Sequence, residues 1–167
     1  MARLRKQSSL ILTVALVAIF ILGIFGFVSL AKRVDNLEPT KTVRSSAYAR
    51  GLLDDETGKL PSEDIDYSGI HMKEFISVDG LKCELSEDAK IKYQINFFDE
   101  DYAFIGVTAR LISDYDAAED EELLSGGDYA GAKFALIEII PTADADGVVT
   151  STEVSKYAKQ LTVTYNK

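Results

Sequence analysis

Tryptophan is absent from this sequence of 167 residues, which holds one cysteine, one histidine and three prolines. Each scarcity removes a class of function. With Cys83 alone, no intrachain disulfide framework exists. With His71 alone, zinc sites built on two or three imidazoles are excluded, and a Ser-His-Asp triad would depend on that one ring. No Gly-x-Ser-x-Gly elbow, phosphate loop or dinucleotide fingerprint accompanies it. His71 opens a predicted strand and reads as a surface or strand-end side chain. Lack of Trp removes the commonest stacking platform for sugars.

Positive charge is scarce as well. Of the 18 basic residues, three (Arg3, Arg5 and Lys6) precede a long apolar run, so the part beyond it sets 15 against 27 acidic groups, a balance of -12. A surface this negative repels phosphate backbones and anionic headgroups, and no Lys/Arg stripe interleaved with aromatics offsets it. Nucleic acid is excluded as a partner.

From Leu10 to Leu30 the chain reads LILTVALVAIFILGIFGFVSL, without a charge. A helix of roughly 20 such residues crosses the hydrocarbon core. The alternative is a secreted protein whose signal peptide is cleaved at Ser29-Leu30-Ala31. The run is longer than a usual h-region, and Lys32 and Arg33 follow at once as a stop, so the expectation is a retained single-pass signal-anchor in the cell membrane. The expected organisation is a cytoplasmic basic leader (1–9), a transmembrane helix (10–31) touching the lipid bilayer, a stalk and linker (32–43), and an extracytoplasmic domain (44–167). Phe27, Leu30, Val34 and Leu37 make a heptad-like seam too short to define a coiled coil.

Beyond the linker, apolar residues alternate with polar ones. Ile91, Tyr93, Ile95 and Phe97 are separated by Lys92, Gln94 and Asn96, a strand with one wet face. Leu161, Val163 and Tyr165 repeat the period, as do Leu81, Cys83 and Leu85, which makes Cys83 a core thiol. Strands are expected near 45–53, 72–78, 81–85, 90–98, 103–111, 133–140 and 160–165, with one helical turn at 117–124. Asp79-Gly80 fits a type I′ hairpin turn joining adjacent antiparallel strands. Seven or eight short strands at this spacing predict an all-β fold, an antiparallel β-sandwich of jelly-roll-like form.

Three strings carry a resemblance: YARGLLDDETGK (from Tyr48), KYQINFFDEDYAFIG (from Lys92) and GAKFALIEIIP (from Gly131). They resemble an all-β module of membrane-anchored surface proteins of Gram-positive gut bacteria and, more loosely, of phage tails and secreted-hydrolase accessory domains. Gly51, Asp54, Thr57 and Gly58 fit its first element, and Phe98-Asp99 with Phe104-Ile105 its second. Where the resembled modules carry an arginine two residues after the aromatic, this chain has Leu136, so that arginine's anion contact is not implied. The resemblance implies a jelly-roll-like sandwich with an accessory or binding role.

Three candidate sites follow from residue type. Tyr67, Tyr102, Tyr115 and Tyr129 lie in or beside predicted loops, where exposed rings stack on sugars or anchor protein contacts. Residues 142–153 follow a calcium-binding EF-hand loop at Asp144, Asp146, Gly147, Val149 and Glu153, with Thr142 in place of the usual first aspartate. Acidic clusters at 54–56, 99–101, 114–116 and 119–122 would serve a glycosidase only if two carboxylates faced each other across a cleft. The expectation is therefore not an enzyme but a tethered binding module for a glycan, wall polymer or protein. The alternatives are a structural subunit of an envelope assembly and a small hydrolase.

Overall fold

The structure is a computed structural model that describes residues 40–120, 124, 126–142 and 147–167. The leader, the anchor and the stalk up to residue 39 lie outside the described residues. Among those described, no helix is long and apolar enough to cross a membrane.

Ten strands, a 3-10 turn at Ser45–Ala47 and one short α-helix are present among the described residues. One sheet runs β1 (Lys41–Thr42), β10 (Leu161–Tyr165), β5 (Lys82–Leu85), β8 (Tyr115–Asp116). The other runs β2 (Tyr48–Arg50), β3 (Ile70–Met72), β9 (Phe134–Pro141), β6 (Ile91–Phe98), β7 (Phe104–Val107), with β4 (Ile76–Ser77) also on β9. All pairings are antiparallel. The fold is thus an all-β sandwich. Helix α1 (Val154–Ala158) leads into β10.

Period-two chemistry builds the core. In the β6–β9 ladder Tyr93 pairs Ile139, Ile95 pairs Ile137 and Phe97 pairs Ala135, and all six are fully buried. From the first sheet, Cys83, Leu161 and Val163 join the same apolar cluster. Each large side chain removed from water there contributes about 1.5–3 kcal/mol. Burial also pushes the Cys83 thiol up to about 12, as a core thiol requires.

Local geometry departs from expectation in several places, among them the strand expected at 103–111, of which only Phe104–Val107 forms. The sheet starts at Lys41, inside the segment read as linker, and Val43 N donates to Val163 O. Only Tyr48–Arg50 of the strand expected at 45–53 forms, because Gly51 turns the chain away at a φ of +100°. The strand expected at 72–78 is split: β3 and β4 lie in succession along β9, and between them Lys73 N bonds Ala47 O. Asp79-Gly80 is a turn but not a hairpin, since β4 pairs β9 while β5 pairs β10 and β8. Gly80 has a positive φ and Asp79 does not, whereas a type I′ turn needs both, so the chain crosses to the other sheet. Finally, β8 and α1 form in segments read as loop.

Residues 51–69 fold over the far face of the second sheet. Leu52 and Leu53 are buried there, together with Phe98, Leu136 and Ile140. Asp54 shapes the flap internally, its Oδ1 accepting from Glu56 N, Thr57 N and Thr57 Oγ1, which holds its carboxyl below the usual range. At Gly58 a Cβ would stand 2.4 Å from the Phe104 ring, so only glycine lets the flap approach this closely.

Candidate functional site

The four candidate tyrosines sit in different surroundings. Tyr67 is exposed, and the Arg50 guanidinium lies 4.5 Å over its ring while Arg50 Nε donates to Val149 O. Tyr115 is half-buried in β8, and burial raises its hydroxyl pKa. Tyr129 packs its ring 4.5 Å from Phe97 and donates to Val107 O, so it closes the edge of the core. Tyr102 is the most exposed of the four at 51%.

Tyr102 belongs to an aromatic ledge that the tyrosine pattern alone did not show. Its ring stacks on Phe134 at 4.5 Å and 13°, and Phe75 lies 4.9 Å away. Phe75, itself 42% exposed, stands edge-on to buried Phe98 at 4.8 Å, and Phe98 meets Phe104 at 5.6 Å. The β6–β7 turn sets Tyr102 in place. Asp99 Oδ1 accepts from Asp101 N and Ala103 N, and Tyr102 takes a φ of 62°. A left-handed backbone costs a non-glycine residue about 1–2 kcal/mol. Here that strain holds a large apolar ring in water. Beside Phe75 opens a cleft of about 300 Å³, lined in part by Arg44, Lys73, Glu74 and Tyr165.

A second constellation is buried. His71, Glu138 and Gln94 stand side by side across β3, β9 and β6, as the register shows. All three grip the flap: His71 Nδ1 donates to Gly51 O at 2.7 Å, Glu138 Oε1 accepts from Leu53 N at 2.5 Å, and Gln94 Nε2 donates to Asp55 Oδ1 at 3.0 Å. Glu138 Oε2 also accepts from Gln94 Nε2 at 2.8 Å and Asn96 Nδ2 at 2.7 Å. The wet face expected at Gln94 and Asn96 is therefore dry, because the flap covers it. His71 is not a surface or strand-end side chain either, being 8% exposed and hydrogen-bonded inside.

Other acidic groups are spent locally. Asp116 pairs with Lys82 at 2.5 Å, and Asp114 Oδ1 accepts from Leu85 N. Glu138 and Asp55 both accept from Gln94, but Glu138 has no exposure, so this carboxylate pair faces no open cleft. In the calcium-like segment Asp144 and Asp146 lie outside the described residues. Glu153 Oε2 accepts from Thr150 Oγ1 and from Thr150 N, which lowers its pKa. That bonding engages the group meant as bidentate ligand. No group of three or more metal-ligating side chains is found among the described residues. No protein-family model, curated protein or solved structure matches this chain.

Proposed function

We propose that this protein is a membrane-tethered, jelly-roll-like binding module, not an enzyme, held by residues 10–31 in the cell membrane with its β-domain outside, and that the Phe75–Tyr102–Phe134 ledge takes the rings of a wall glycan. The observation that carries the reading is Tyr102, half in water, stacked on Phe134 and held there by a strained backbone. Strain kept at an exposed ring is a mark of function, since packing alone would favour a glycine and a smaller side chain at the turn. Glu100 and Asp101 border the ledge in sequence, and their carboxylates suit sugar hydroxyls.

Co-sedimentation of the full-length protein, in detergent micelles, with purified wall polysaccharide tests the site. Tyr102→Ala should weaken binding up to about tenfold, the worth of one aromatic contact, while thermal unfolding stays in place. No sedimentation of the wild type with any wall polymer, or equal binding by Tyr102→Ala, would remove the glycan reading. Release of the chain from vesicles by alkaline carbonate would remove the anchor.

A further inference from the structure

Glu138 has no exposure, and every hydrogen bond it makes is received from an N–H: Leu53 N on Oε1, Gln94 Nε2 and Asn96 Nδ2 on Oε2. No cation pairs with it among the described residues. The groups facing it are Asp55 from the flap, a second carboxylate, and His71 from β3, whose Nδ1 is turned to Gly51 O. From β6 come two neutral amides, Gln94 and Asn96; Lys92, the next residue on that face, is exposed and sits opposite Ile140. A charge so placed lacks both water and a counter-ion.

Asn96 completes the arrangement. Its Oδ1 is buried and has no hydrogen-bond partner, while its Nδ2 serves Glu138. A half-turn of the amide aims Oδ1 at Glu138 Oε2, where it can accept from a protonated carboxyl. The turn exchanges one unpartnered end for the other and breaks no further bond of Asn96. The pocket thus has an acceptor ready for a proton on Glu138.

We propose that residues 51–69 form an acid-tightened flap, in which Glu138 takes a solvent proton in place, donates it to Asn96, and holds the flap more firmly in mild acid than at neutral pH. With the flap lifted, Glu138 meets water and titrates as an ordinary carboxyl. With it closed, burial raises the pKa, outweighing the three donors, and Asp55 adds to the rise. The closed form therefore binds the proton more tightly. Stabilisation of closure is complete below the ordinary value and is lost as pH rises through the closed-state value. Within that window each pH unit changes the closed-to-open ratio by up to about tenfold. Through Gly58, which abuts Phe98 and Phe104, the tightening reaches the floor of the aromatic ledge, whatever the ledge binds.

Hydrogen exchange of the amides at 51–55 tests this in the full-length protein, from about pH 7.5 to about pH 5, after correction for intrinsic rates. Protection should rise on acidification in the wild type, several-fold or more. Glu138→Gln should abolish the rise, and His71→Gln should keep it. Asp55→Asn removes the neighbouring charge and should move the rise to lower pH, which provides a reading even where Glu138→Gln does not fold. Protection that falls with acid, a rise that persists in Glu138→Gln, one lost in His71→Gln, or a profile unmoved by Asp55→Asn would each overturn the proposal.

Discussion

The two sheets share one core and treat their far faces in opposite ways. On the first, Lys82, Glu84 and Thr162 alternate with buried Cys83, Leu161 and Val163, and stand in water. On the second, Gln94, Asn96 and Glu138 alternate with buried Ile95, Phe97 and Ile137 in the same way, yet are themselves dry. The difference is the flap, whose Leu53 N, Gly51 O and Asp55 supply the bonds that water supplies elsewhere. A period of two reports which side chains turn away from the core. It does not report whether they meet solvent.

Adjacent residues of β9 sharpen that contrast. Ile137→Ala, on the face shared by both sheets, should cost about 2–5 kcal/mol in urea unfolding through lost transfer energy and a cavity. Glu138→Ala, on the flap face, should cost about 2–4 kcal/mol, since three buried N–H donors lose their acceptor. Gly58→Ala should cost about 1–3 kcal/mol and loosen residues 51–69 in hydrogen exchange, because a φ of +64° and the Phe104 ring both oppose a Cβ. Glu84→Ala, on the wet far face, should change stability by less than about 0.5 kcal/mol. An equal response at Glu84 and Glu138 would erase the distinction between the two faces.

Much of the sandwich was legible because β6 and β10 alternate strictly and β9 is a nearly continuous apolar, β-branched run, and each came within two residues of its expected bounds. The short strands were harder to see. β1, β4 and β8 have two residues each, and they exist because a partner strand offers hydrogen bonds, not because their own residues insist. The ledge was half visible: Tyr102 stood out as a loop aromatic, but Phe75 comes from the link between β3 and β4 and Phe134 from the start of β9, both distant in sequence. The Glu138 constellation was hidden for a different reason. Its strand GAKFALIEIIP was recognised, but one carboxylate in an apolar run carries no sign of what will cover it, and the flap that does so was read in part as a strand.

Alternation, turn residues and the lack of disulfide or imidazole clusters were enough to determine an all-β domain with an apolar interior, because those properties act over a few residues at a time. Only the tertiary structure decided that Asp79-Gly80 crosses between sheets, that Tyr102 meets Phe75 and Phe134, and that Glu138 lies under residues 51–69. Each of these depends on which distant segment arrives to supply hydrogen bonds or exclude water, and dielectric surroundings, unlike periodicity, belong to the assembled fold.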